Sequence, residues 1–248
     1  MDVTKELTIV IPLRIDSKER EENVNTVVRH LLDNTCVQII LLEADNNQKY
    51  HPLIHPNVTY HFLQDNNETF FRTRYINKLL TLASTPIVGV WDSDVLLPVS
   101  QIHAAIHKIK EGNTLCIPYG GKCIGLNGNE SNLVRLHPEK LVTFENKSGS
   151  YSVGGAFIVN KEDYLIAGGE NEVFDGWGPE DIERIKRLEI LEYKTCRIPG
   201  NLYHLHHPTG KNSYYKNEEK ERYYLQVLLG ICRKNKQELL EDIKQWKL

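Results

Sequence analysis

A chain of 248 residues with 40% apolar content has enough material for one substantial α/β core. Its formal charge of −3, with acids and bases interspersed, excludes the basic face of a general nucleic-acid binder. No run approaches the ~18 apolar residues of a membrane span, and the apolar stretch Ile9 to Leu13 is too short for a secretory signal.

The five cysteines (Cys36, Cys116, Cys123, Cys196, Cys232) are odd in number and form no Cys-x-x-Cys pair, which reads as scattered thiols in a reducing compartment. These features predict a cytoplasmic protein with no transmembrane segment and no nucleic-acid partner.

Thr8 to Leu13 reads as a buried strand stopped by Pro12 and Arg14. Ser17 to Asn34 reads as a helix, with Ser17 as N-cap and Val24, Val27, Val28, Leu31 and Leu32 on one face. Val37 to Leu42 and Val58 to Leu63 read as strands, and Phe70 to Ala83 as a helix. The apolar run Ile87 to Trp91 ends in Asp92-Ser93-Asp94, and Val99 to Lys110 is helical. Gly112 to Tyr151 is rich in Gly and Asn and reads as irregular, with a hairpin and a mobile loop. Gly154 to Val159 and Cys196 to Leu205 read as strands on either side of a helix over Asp181 to Leu191.

Strands alternating with helices imply a mixed, mostly parallel central sheet flanked by helices. From Lys216 the chain reads as two helices broken near Asn235. The expected division is a catalytic domain over 1–215 with a C-terminal helical extension, 216–248, packed on it. The alternative reading of its apolar stripes is a surface for a membrane or a partner subunit.

Four groups of residues carry chemistry. Asp92 and Asp94 sit at the carboxyl end of a buried strand, where open α/β sheets bind ligands. Carboxylates there suit Mg²⁺ or Mn²⁺, ions that also bind phosphates. Gly154-Gly155 opens a strand and permits close backbone approach. In Gly176-Trp177-Gly178-Pro179-Glu180-Asp181 an aromatic face for a sugar stands beside two acids, one of which could act as general base. Tyr203-His204-Leu205-His206-His207 places His204 and His206 on one face of a strand, where an imidazole can complete a coordination shell.

This combination resembles the GT-A fold glycosyltransferases. Within them it is most similar to the group holding the beta-1,4-galactosyltransferases, the polypeptide N-acetylgalactosaminyltransferases and the bacterial chondroitin polymerases. The likeness covers most of residues 8–208, with Pro179 standing where the family usually has a second Gly.

The resemblance implies nucleotide contacts from Pro12 and Arg14 in Ile11-Pro12-Leu13-Arg14, from Glu43, and from Phe70, Arg72 and Asn77. It implies Asp94 and His204 as metal ligands, with Asp92 nearer the ribose and donor sugar and His206 the runner-up for the histidine. Gly154, Gly155 and Trp177 join the substrate site. Asp181 becomes the base and Glu180 the acceptor-binding acid; the Glu-Asp pair leans toward inversion, because the retaining branch typically has Asn after Glu.

The implied activity is transfer of galactose or N-acetylgalactosamine from a UDP-sugar, with Mn²⁺ or Mg²⁺, to a glycan or glycolipid acceptor at the inner membrane face. Two rivals stand. A sugar-1-phosphate nucleotidyltransferase would want a Gly-rich loop after the first strand, and Arg14-Ile15-Asp16-Ser17 has no glycine. A non-catalytic sugar-binding domain would not require the acids and histidine that are present.

Overall fold

The computed structural model describes residues 2–246. Strand β1 (Leu7–Leu13) is buried along its whole length. It leads to α1 (Lys18–Asn34), whose N-cap Ser17 accepts a hydrogen bond from the Arg20 amide. Next come β2 (Gln38–Asp45), β3 (Val58–Gln64), α2 (Arg72–Leu82), β4 (Ile87–Trp91), the two-residue β5 (Val95–Leu96) and α3 (Val99–Lys110). The middle of the chain forms β6 (Leu115–Ile117), β7 (Lys122–Gly125), α4 (Gly128–Leu136) and β8 (Ser150–Tyr151). After it come β9 (Ala156–Asn160), α5 (Lys161–Ile166), α6 (Glu180–Ile190), β10 (Thr195–Arg197) and β11 (Asn201–His204). Two helices end the chain, α7 (Glu218–Cys232) and α8 (Lys236–Ile243).

The seven-stranded sheet has the order β10-β6-β9-β4-β1-β2-β3. Only β9 runs against its neighbours β4 and β6, so the sheet is mixed and mostly parallel. This arrangement fixes where chemistry can sit. The carboxyl ends of β1, β2 and β4 lie along one edge, and antiparallel β9 brings its amino end, preceded by Gly154-Gly155, to the same edge. The Asp92 amide donates to the Gly155 carbonyl at 2.8 Å. A smaller sheet, β5-β11-β7-β8, stands beside it and pairs His204 with Val95.

Several sequence expectations change. Pro12 does not stop β1. The β1–β4 ladder ends at Val10, so Pro12 pairs only with β2 and its missing N–H interrupts no second ladder. Strand β2 runs on to Asp45 because β3 pairs with it through Gln64. The 112–151 stretch holds short strands and α4, and α4 has a capping box between Asn127 and Glu130. The expected single strand over Cys196–Leu205 is two strands in different sheets, divided at Gly200 with φ +120°.

Helices α7 and α8 lie against α6. Tyr224, Ile231 and Leu239 are buried. The Tyr224 ring lies 5.4 Å from that of Phe174, and the Arg187 guanidinium lies 5.3 Å from the Trp246 ring. Each buried apolar side chain contributes about 1.5–3 kcal/mol, against the ~5–15 kcal/mol that holds a domain folded. Truncation after Lys216 is therefore expected to give insoluble protein or a large drop in melting temperature. A soluble, fully active truncation would show that the helices are dispensable.

Candidate active site

The edge where β1, β4 and β9 meet opens into a cleft of about 460 Å³. Pro12, Arg14, Phe70, Arg72, Asp92, Asp94, Trp177, Glu180, Asp181 and His204 all line it. Their sequence positions are far apart, and the sheet order brings them together.

Asp94 faces His204 and His207. His204 Nε2 lies 3.5 Å from one carboxylate oxygen and His207 Nε2 lies 3.2 Å from the other. The three offer ligand atoms within 4.8 Å of one another. His206 does not join them. Strand β11 ends at His204, and Leu205 is tied to the Asp94 carbonyl. The His206 amide then donates to Ser131 Oγ, and its carbonyl accepts from Asn23 and Arg135, while its ring lies near Gly128. The alternation expected of a strand therefore stops one residue early, and His207 turns in.

The donor set fits a divalent cation. His207 Nδ1 lies 2.8 Å from the Pro208 carbonyl and 3.2 Å from Arg20 Nη2, so its role as donor or acceptor depends on the tautomer. In the neutral tautomer protonated at Nδ1, Nε2 presents a lone pair to the Asp94 carboxylate. A proton or a metal must bridge them, and a backbone-anchored imidazole is the usual support of a metal ligand. Asp94 bonding raises the proton affinity of His207 despite partial burial. Burial works against ionisation of Asp94, but His204, His207 and Arg20 outweigh it and hold the carboxyl well below its ordinary range.

Asp92 instead binds Arg72, whose Nη2 and Nε donate to one oxygen at 2.7 and 3.1 Å. Arg72 also reaches toward Glu180 at 3.9 Å. Glu180 and Asp181 open α6, where the helix dipole favours acids, but their environments differ. Burial first, and the Asp181 carboxylate second, push Glu180 up to about 8. Burial also opposes ionisation of Asp181, yet Arg184 and Arg72 prevail and lower it.

Arg184 donates to Asp181 Oδ1 at 2.8 Å. Arg184 itself is fixed by Glu170 through bonds of 2.7 and 2.8 Å, both side chains being 1% exposed. Breaking such a buried pair costs about 3–5 kcal/mol, so Asp181 stands on a rigid support. Its other oxygen rests on Gly154. A Cβ at that glycine would lie 2.0 Å from Asp181 Oδ2. Gly154→Ala is thus expected to displace the carboxylate and lower turnover by about 10²-fold while UDP binding stays normal. Unchanged turnover in that variant would show that the placement of Asp181 is unimportant.

Trp177 is about half exposed at the cleft mouth, edge-on to Tyr215 at 4.6 Å. Phe70 packs on Tyr75 and beneath Arg14. Arg14 donates to the carbonyls of Ala44, Asn67 and Glu68. A second lobe of about 520 Å³ continues from Arg14 past Asp16, Asp45, Asp65 and the 208–212 segment.

Two predicted nucleotide contacts lie elsewhere. Glu43 is fully buried and accepts from the Lys49 and Tyr50 amides and the Tyr60 hydroxyl. It anchors the turn after β2, and the lobe-facing acid of that strand is Asp45, two residues on. Asn77 is buried and exchanges hydrogen bonds with Glu170 and Glu172, so it fastens α2 to the segment before Trp177. Conversely, Arg20, Asp45, Asp65, Arg184 and His207 reach the site or support it without having been singled out. His207 was visible in the His-x-His-His run; the rest depend on long-range packing.

With this geometry in hand, comparisons with known proteins are informative. Residues 141–208 match the family model described as the N-terminal domain of galactosyltransferase. That segment contains Gly154-Gly155, Trp177, Glu180, Asp181 and both site histidines. No curated protein sequence matches the chain.

Among solved structures, the chain is similar to a mutant of Drosophila beta1,4-galactosyltransferase 7 in complex with manganese, UDP-Gal and xylobiose. The identity is 16%, over 92% of this chain and 79% of that one, with a TM-score of 0.52. It is also similar to glucosyl-3-phosphoglycerate synthase from Mycobacterium tuberculosis in complex with Mn²⁺, UDP and phosphoglyceric acid. There the identity is 14%, over 93% and 81% of the two chains, with a TM-score of 0.53. A third likeness is to a mannosyltransferase from Pyrobaculum calidifontis in complex with GDP-Man and Mn²⁺. The identity is 13%, over 91% of this chain and 63% of that one, with a TM-score of 0.55. The fold is that of the GT-A glycosyltransferases.

Proposed function

We propose that this chain is a metal-dependent glycosyltransferase that moves galactose or N-acetylgalactosamine from a UDP-sugar to a hydroxyl of a glycan or glycolipid acceptor, with inversion. One observation carries the reading. A carboxylate–imidazole cluster and a pair of acids with divergent proton affinities share one cleft, together with buried polar atoms that lack partners. Those atoms are Arg14 Nη2, Arg72 Nη1 and Glu180 Oε2. Orphaned buried donors and acceptors are costly, and a ligand with phosphates and hydroxyls would satisfy all three. The galactosyltransferase match supports the donor, as does the Drosophila complex with manganese, UDP-Gal and xylobiose.

In this reading Asp94, His204 and His207 hold Mn²⁺ or Mg²⁺. The bound metal supplies a Lewis acid that stabilises charge on the departing diphosphate. Arg14 and Arg72 donate to phosphate or donor-sugar oxygens, and Arg72 keeps Asp92 oriented for the same sugar. Asp45 and Asp65 line the lobe that would receive ribose and uracil. Trp177 offers its exposed face to the acceptor ring.

Asp181, with Oδ1 occupied by Arg184, takes the acceptor proton on Oδ2 as the anomeric bond forms. Glu180, protonated at neutral pH, donates a hydrogen bond to an acceptor hydroxyl. Environments that push two neighbouring acids apart in this way separate base from donor.

The test has two stages. Calorimetry should find UDP binding that requires Mn²⁺, and a screen of UDP-sugars should find slow metal-dependent hydrolysis of one of them. NMR of the transfer product should show inverted anomeric configuration. Metal-independent UDP binding would sink the metal assignment, and a retained anomer would sink inversion.

A further inference from the structure

Arg20 stands in the first turn of α1 and lines the cleft beside the metal cluster. Its side chain is mostly buried. Nη1 donates to Asp94 Oδ2 at 2.9 Å, and Nε donates to Asp16 Oδ1 at 3.0 Å. Nη2 lies 3.2 Å from His207 Nδ1. In the tautomer that donates from Nδ1 to the Pro208 carbonyl, that last approach brings donor to donor. Arg20 is therefore held by two carboxylates, and one of them belongs to the cluster that would hold the cation.

We infer that Arg20 is an internal counter-cation for this site, one that opposes binding of a lone divalent ion and transfers to the diphosphate when metal and nucleotide bind together. The inference rests on the reading of Asp94, His204 and His207 as metal ligands. A divalent ion among those three would share Asp94 with a guanidinium, and like charges repel at such range. With UDP absent, nothing compensates. A diphosphate brings negative charge to the same cleft and accepts charge-assisted hydrogen bonds from arginine in a favourable geometry. Asp16 gives the guanidinium a second anchor. It lies at the junction with the neighbouring lobe and is 41% exposed, so Arg20 can leave Asp94 without losing all its ion pairing. Metal and nucleotide would then each strengthen the binding of the other, as linkage requires.

The opposite role, a clamp that orders Asp94 and His207 for the metal, predicts the opposite sign. The experiment titrates full-length protein with Mn²⁺, following free ion by electron paramagnetic resonance, with and without UDP. The expected result is that Arg20→Met binds Mn²⁺ alone about 5-fold more tightly or better, and that the gain from adding UDP shrinks. Arg20→Gln, which keeps a hydrogen-bonding group and removes the charge, should change in the same direction, so a misfolded methionine variant would not spare the inference. Asp94→Ala should leave the free-ion signal undiminished by the protein, which would locate the ion. Equal or weaker Mn²⁺ binding in folded Arg20 variants would overturn the counter-cation role. No Mn²⁺ binding by the wild type, even with UDP, would overturn the metal reading itself.

Discussion

Asp181→Asn is expected to lower glycosyl transfer by ~10²–10⁴-fold while Mn²⁺-dependent UDP binding stays intact. The substitution keeps the shape of the side chain. Its amide oxygen can still accept from Arg184, which now bonds Oδ1 at 2.8 Å, and the fit against Gly154 needs no new volume. What disappears is the proton acceptor. Arg184 and Arg72 overcome burial and lower the proton affinity of Asp181, which keeps it in the ionised form that the proposed base requires. Its loss also removes the second cause of Glu180's raised proton affinity, so Glu180 should ionise at lower pH in the variant. Steady-state transfer with UDP calorimetry separates the two effects. Turnover within a few-fold of wild type would show that Asp181 serves only its helix and Arg184.

Asp94→Ala is expected to abolish metal-dependent UDP binding. Asp94 is 4% exposed, and its two oxygens meet Arg20, His204 and His207. It is thus the common partner of the whole cluster. His207→Ala should weaken metal-dependent binding, whereas His206→Ala should be silent, because the His206 backbone is bound by Ser131, Asn23 and Arg135 and its ring lies toward Gly128. Melting curves check that the variants fold, since Arg20 keeps Asp16 as a partner in each. Retained metal dependence in Asp94→Ala would remove the cluster from the mechanism. A silent His207→Ala beside a damaging His206→Ala would reverse the choice of histidine.

Much of this was legible in the residues themselves. Hydrophobic period and caps gave α1, α3 and the C-terminal helix pair, because those signals act over a few residues. The position of acids after a buried run gave the Asp92–Asp94 corner. The Gly154-Gly155, Trp177 and Glu180-Asp181 elements were recognisable by type and order. α4 was also legible, through its Asn127–Glu130 capping box, but the surrounding Gly and Asn residues read as loop.

The remainder was decided by tertiary structure, for a physical reason that applies in each instance. A side chain's role depends on what covers it, and cover comes from distant segments. Asp45 lies at the open end of β2 because β3 prolongs the ladder, while Glu43 is sealed by the turn that follows. Asn77 bonds Glu170 and Glu172, away from the cleft, because α2 packs against the segment before Trp177. His207 and not His206 faces Asp94 because Ser131, Asn23 and Arg135 hold the chain beyond β11 and end its alternation. Local sequence determined which elements form and which chemical groups they carry; the pairing of β5 with β11 and of β4 with β9 decided which of those groups face one another across the cleft.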